Sequence, residues 1–378
     1  HIPQTPLLRV LPDKISPIFL DGRPLLFLNL LNCPSKIRRL MRLRSSILLL
    51  CFLFSFFGKA QKLYPVKADD KKGYIDASGN MVIEPQFERA YSFSEGLARV
   101  IKEDKVGFIN SKGETVIPFK YDKGRDFNNG IAVVLKEKKL LKDNVWVYFN
   151  KRGEKLFEIT CKRAFSFYEG KARFLRDKWG FINRKGNVVL DPQFRAAYHF
   201  SHGLARVKTN EKWGYIDPTG DYVIEPQYEK CFEFFEGLAN VKDPESGKWG
   251  FINTSGEYAI EPQFDRAYPF HNGRAVIRVG SKNDGKYGYI DKKGEVVINP
   301  VYWGARHFSD GLGCVARKQG NEVKWGYVNK SGQLVIARQF SNPALFEKGL
   351  AEVRMGGISD GVYGYIDERG DFVWKRER

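Results

Sequence analysis

Residues 211–228 read EKWGYIDPTGDYVIEPQY, and nearly the same words stand at 177–194 (DKWGFINRKGNVVLDPQF) and at 247–264 (GKWGFINTSGEYAIEPQF). Around Trp213 the alternation is that of a strand, with Trp213, Tyr215 and Asp217 on one face and Gly214 and Ile216 on the other. An Asp, two variable residues and a Gly follow (Asp217 to Gly220). The carboxylate accepts backbone N–H groups of the turn, and the Gly supplies positive φ at its end. The next segment, YVIEPQY at 222–228, starts as a strand, and Pro226 marks its edge because proline has no N–H for a ladder. The stretch therefore reads as two antiparallel strands about a tight turn.

Aligned on the Gly of Trp-Gly, copies fall at Gly73, Gly107, Val147, Gly180, Gly214, Gly250, Gly288, Gly326 and Gly364, at intervals of 33 to 40 residues. Each copy also carries a segment of the type GLARV (203–207) ahead of its Trp-Gly strand. In eight copies a Phe stands three residues before the next such Gly, from Phe93 to Phe346. These features predict an all-β tandem repeat array of short antiparallel meanders. Each meander has three strands and a loop plugged by the Phe. One such unit cannot bury its own aromatic rows, so units must stack. Nine copies favour an open superhelical or solenoid-like stack, with a closed propeller-like ring as the alternative. The row Trp146, Trp179, Trp213, Trp249 and Trp325 is expected to hold neighbouring units together, and Gly214 is expected to mark a close backbone approach or a bulge, with a neighbouring unit lying against it.

The first sixty residues do not share the repeat. From Met41 the text MRLRSSILLLCFLFSFFGKAQ has the order of a secretory signal: Arg42 and Arg44, an apolar run from Ile47 to Phe57, then small residues before Gln61. That run is too short to span a bilayer, which takes about 20 residues. Residues 1–40 are read as upstream translated sequence, 41–60 as a signal peptide, and 61–378 as the repeat domain of eight complete units and a partial ninth. The mature protein is thus expected to be exported (periplasmic, cell-surface or secreted), with no stable membrane span.

The whole chain carries 62 Lys+Arg against 44 Asp+Glu. Without residues 1–60 the counts are 53 and 42, a net charge of +11. The basic residues are scattered among turns and strands rather than gathered in runs, so nucleic acid is not the expected partner.

The pattern KWGFIN..KG..V..DPQF..A..F..GLARV resembles the bacterial WG-repeat, or KWG-repeat, family over about residues 62–374. The third copy departs from it, with Val147 for Gly and FEITC for IEPQF, and the eighth has IARQF. The resemblance implies a repetitive β protein, commonly exported, and brings no chemistry with it.

No residue pattern points to catalysis or to a cofactor. Cys161, Cys231 and Cys314 occupy three different repeat positions, as buried small residues do, rather than a disulfide or metal framework. His199, His202, His271 and His307 fall in loop segments without the converging ligands a metal needs. Recurring Trp has a sharper reading, because Trp- and Gly-rich hairpin repeats that bind cell walls cage choline or sugars between rings. Trp179, Trp213, Trp249 and Trp325 are the candidate ligand-binding residues on that reading. The leading function is a non-enzymatic binding or scaffold module for a protein or a cell-envelope glycan. The rival is an envelope carbohydrate hydrolase using carboxylates such as Glu225 and Glu261, although both occupy the same Glu-Pro-Gln position, which suits a repeated structural role.

Overall fold

The computed structural model describes residues 62–137, 143–320, 322–357 and 361–376, together with the paired short strands Phe19–Leu20 and Arg23–Pro24. Contacts divide the chain into two units, His1–Ala60 and Gln61–Arg378. The expectations for residues 1–40 and 41–60 lie outside the described residues, that short pair apart. No helix of the described residues is long and apolar enough to cross a membrane.

From residue 62 onwards the described residues are all-β, a series of antiparallel sheets, one for each of the first seven copies of the repeat and one seven-stranded sheet shared by the last two, where Leu334–Pro343 pairs with Ala351–Met355. Unit five shows the pattern: Ala196–Ser201, Leu204–Thr209, Lys212–Ile216 and Tyr222–Tyr228 pair in that order. The expected meander is present, but the segment before it is not a loop. The residues leading to each Phe form a first strand that pairs with the GLARV strand, as Ala197 does with Val207 and Phe200 with Ala205. Between those two pairs Tyr198 and His199 bulge out of the ladder. The bulge breaks the alternation a strand would show in the sequence, which is why the segment reads as a loop. This strand shrinks to Arg89–Ala90 in unit two and to two isolated bridges, Cys231 to Val241 and Phe235 to Leu238, in unit six.

Neighbouring sheets interlock through the same contacts around the series. The Tyr or Phe after Trp-Gly meets the Phe of the next unit's leading segment nearly edge-on, as for Tyr74 and Phe93 (4.9 Å), Tyr215 and Phe234 (5.0 Å), and Tyr327 and Phe346 (4.9 Å). Where the residue is Tyr, its hydroxyl also donates to a backbone carbonyl of that segment, Tyr215 to Phe232 O at 2.7 Å and Tyr327 to Ala344 O at 2.7 Å. All of these rings are buried. They, more than the tryptophans, join one unit to the next, each pair adding about 0.5–1.5 kcal/mol beyond its buried area.

The two ends of the series touch. Unit one consists of Tyr64–Ala68, Lys71–Ile75 and Met81–Phe87 and has no first strand among the described residues. In place of the missing Phe, Tyr64 packs against Tyr365 of unit nine at 5.7 Å, and the Tyr365 hydroxyl donates to Pro65 O at 2.9 Å. Tyr64 Oη and Lys62 Nζ both donate to Lys348 O, at 2.6 and 3.1 Å, and Arg376 Nη2 donates to Asp69 O at 3.2 Å. Turn glycines say the same. A Cβ on Gly220 would press on Leu190 of the preceding unit, and one on Gly79 of unit one would run into the backbone of Val373 in unit nine. The stack of short sheets is as expected, no ladder among the described residues closes it, and its ends are fastened by side chains.

Gly214 is crowded, but by its own unit. Trp213 pairs with Tyr228 and Tyr215 with Ile224, so Glu225, Pro226 and Gln227 stand opposite Gly214 alone. A Cβ there would lie 2.5 Å from Ile224 O and 2.8 Å from Pro226 N. The expected neighbouring unit is therefore the wrong partner, and the bulge made by Glu-Pro-Gln is the right one. Unit three supports this account: Val147 pairs in unbroken register with Glu158, between Trp146–Ile159 and Tyr148–Phe157, and there is neither Pro nor bulge.

Cys161, Cys231 and Cys314 are free and buried. Burial pushes their thiols up, to about 12, 11 and 12. Thiolates are the reactive form. A thiol-disulfide reagent at pH 8 is expected to label none of the three in the folded protein and all three in denaturant, and rapid labelling of the native chain would contradict their burial.

Candidate ligand site at the centre of the array

The bulge in each first strand has a functional consequence. It falls at the two residues before the Phe, although Arg125 of unit three stays paired with Val133, and those residues from several units face one common space. Tyr91 and Ser92, Arg125 and Asp126, Phe165 and Ser166, and Tyr198 and His199 all line a cavity of about 960 Å³, which also reaches Glu233 of unit six and Lys348 of unit nine. A smaller cavity of about 280 Å³ continues the same positions through Tyr268, Pro269, Arg306, His307 and Leu345.

The wall is built from arginines between aromatic rings. Arg99 lies 3.5 Å over the Tyr91 ring and pairs with Asp126 at 2.8 Å. Arg125 covers Phe165 at 3.8 Å, Arg173 lies 4.1 Å from Phe165 and 4.8 Å from Tyr198, and Arg206 covers Tyr198 at 3.9 Å. Their edges tie units together: Arg125 Nε donates to Ala164 O at 3.1 Å, Arg173 Nη1 to Ala197 O, and Arg206 Nη1 to Cys231 O. Each of these carbonyls sits at the start of the next unit's bulge. The stacked faces are worth about 0.5–2 kcal/mol each, rising with desolvation. Burial holds the Arg173 guanidinium down to about 10 and lowers that of Arg125 as well.

The carboxylates at the wall are engaged. Asp126 faces Arg99, and the half-buried Glu233 lies 3.5 Å from the buried Arg206. Glu225 and Glu261, invoked for hydrolysis, are exposed on outer strands and line neither cavity. Histidines are packed on rings: His199 stacks on Tyr168 at 4.0 Å and His271 on His307 at 4.1 Å. Burial, with His271 and Arg306 nearby, takes His307 down to about 4. His202 Nε2 accepts the Gly237 N–H at 3.1 Å. Among the described residues no group of three or more His, Cys, Asp or Glu is placed to hold a metal.

The structure does not gather the four candidate tryptophans. Trp249 is buried, and Trp179, Trp213 and Trp325 are half-buried beside their own units' strands. None of the four lines the large cavity. Their faces are taken by cations, Arg206 at 4.5 Å from Trp213, Arg266 at 4.4 Å from Trp249, and Arg306 at 5.1 Å from Trp325. Sequence reasoning missed the bulge residues and the Arg of the GLARV strand. The available signal was an Arg kept at 99, 173 and 206 between apolar neighbours, where an unpaired cation would be costly.

A tandem array of interlocked four-stranded β units, enclosing a cavity lined by one bulge from each of several units, defines a repeat protein. The chain belongs to the WG-repeat family. The profile described as WG containing repeat matches residues 73–105, 107–139, 179–213, 213–243, 249–282, 287–321 and 325–357, more than half of its length. No curated protein matches the sequence significantly. Among solved structures, one titled as the crystal structure of the eukaryotic initiation factor aligns with TM-score 0.60 at 13% identity, over 84% of this chain and 96% of that one. This is a likeness of fold alone. Hsv2 of Kluyveromyces lactis (TM-score 0.38, 8% identity, 74% and 96% covered) and the β-propeller domain of the Trilobed protease from Pyrococcus furiosus (0.34, 10%, 74% and 98%) are too distant to carry an argument.

Proposed function

We propose that the protein is a non-enzymatic, exported binding or scaffold module that holds a protein segment or a cell-envelope glycan in the central cavity. One observation carries this reading. Within the chain the framework positions repeat, yet the two bulge residues differ from unit to unit: Tyr-Ser, Arg-Asp, Phe-Ser, Tyr-His, Phe-Glu, Tyr-Pro, Arg-His and Ala-Leu. A surface whose only task was packing would repeat as the Phe beside it does. Mixed aromatic and polar linings also suit ligand pockets, which commonly measure about 300–1,000 Å³. Export rests on the segment from Met41 to Ala60.

Glycan-array and pull-down screening of residues 61–378 tests the proposal, with Ser166→Trp as the variant that fills the cavity. A partner retained by the parent and released by Ser166→Trp, at unchanged folding, is the expected outcome. A partner held equally by both places the binding surface elsewhere, and substrate turnover that depends on one side chain would replace this reading with an enzymatic one.

A further inference from the structure

Between units two and three the central space opens into a side pocket of about 380 Å³, lined by Arg89, Arg99, Lys123, Gly124, Arg125 and Trp146 among others. Its charge is one-sided. One carboxylate, Asp122, lines it against four cations and is held by Lys105 at 2.6 Å, and Asp126 nearby is held by Arg99 at 2.8 Å. Arg89 and Lys123 are exposed and have no side-chain partner among the described residues, and Arg125 spends its Nε on Ala164 O and its face on Phe165. Three cations therefore stand over the pocket without a counter-charge. Trp146 adds a second, independent sign: its ring is 6% exposed and its indole N–H has no hydrogen-bond partner. A buried donor left unpaired costs free energy that an incoming acceptor recovers. Room is provided by Gly124, where most units carry Ala, since a Cβ there would meet Val106 at 2.8 Å and Arg99 at 3.3 Å.

We infer that this side pocket binds an anionic group, a carboxylate or a phosphate, with Arg89, Lys123 and Arg125 supplying charge and Trp146 a neutral donor. The inference rests on the central-cavity reading and names the ligand's chemistry: an acidic glycan, such as a uronate or a phosphate-bearing polymer. Charge-assisted hydrogen bonds are roughly twice as strong as neutral ones, and they discriminate against neutral sugars.

The test titrates the purified chain with glucuronate, inorganic phosphate and glucose, following Trp fluorescence and heat of binding. Saturable binding of glucuronate or phosphate, with none for glucose, is expected, and the stronger of the two identifies the source of the anion. The double variant Arg89→Ala/Lys123→Ala changes two exposed side chains and is expected to weaken binding about tenfold or more, and Trp146→Phe to weaken it with an unchanged fold. Absence of saturable anion binding, or equal binding by the double variant, overturns the inference. If small anions bind as expected and no polymer or protein does, the side pocket stands and the wider reading falls. A partner found in the screen whose affinity is indifferent to Arg89 and Lys123 does the reverse, keeping the wider reading and overturning the side pocket.

Discussion

Gly214→Val is expected to lower the stability of the repeat domain by about 3 kcal/mol, read as an earlier denaturant midpoint. The first atom of the new side chain falls 2.5 Å from Ile224 O and 2.8 Å from Pro226 N. Both belong to backbone, which cannot swing aside as a side-chain tip does. Relief would require the Glu225–Gln227 bulge to move, and Pro226, with no N–H, cannot rejoin a regular ladder. The same change where Val already stands is the control. Val147 sits opposite Glu158 in an unbroken register, so Val147→Gly should cost about 1 kcal/mol or more through strand entropy and lost contacts rather than stabilise. An unshifted or later midpoint for Gly214→Val would mean that the bulge gives way freely.

Tyr365→Ala is expected to cost about 3–5 kcal/mol, the range for removing a large buried aromatic. Tyr365 is 7% exposed and packs with Tyr64, Val66, Ile75 and Leu350, so it holds unit nine to unit one. Its loss should also be local in effect. Amide exchange in residues 64–75 is expected to rise well before the central units respond, because the first sheet has no first strand to anchor it. Tyr365→Phe removes only the hydrogen bond to Pro65 O and should cost about 1 kcal/mol. If Tyr365→Ala left the exchange of unit one unchanged, the contact between the ends would not form in solution.

What could be read in the sequence divides along physical lines. Local chemistry was legible. The Asp-x-x-Gly turns are as expected, with Asp217 Oδ1 accepting the N–H groups of Thr219, Gly220 and Asp221. Pro226 indeed lies in an outer strand interrupted by a bulge. The first strand was hidden, because Tyr198 and His199 leave the ladder and destroy the period of two by which strands are recognised. The site was hidden for the same reason. Recurring Trp drew the eye, yet repetition marks framework, and the lining is formed by the bulge residues that do not repeat. Contact between the two ends was legible only as the alternative of a closed ring, and the residues that make it were not. It depends on Tyr64, which stands at the Ala position of the GLARV strand, reaching Tyr365 and on Pro65 O receiving a hydroxyl from 300 residues away, neither of which any periodicity announces.

The most direct test of the account is the distance between the two ends of the array in solution. Spin labels on cysteines introduced at Asp69 and Arg376 of residues 61–378 suit it, since Cys161, Cys231 and Cys314 are buried and Arg376 reaches the Asp69 carbonyl. Pulsed electron resonance is expected to give one narrow distribution at the short end of its range. Nine units stacked about 10 Å apart in an open line would set the labels roughly 80 Å apart, and a broad, distant distribution would contradict the joined ends and the enclosed cavity together.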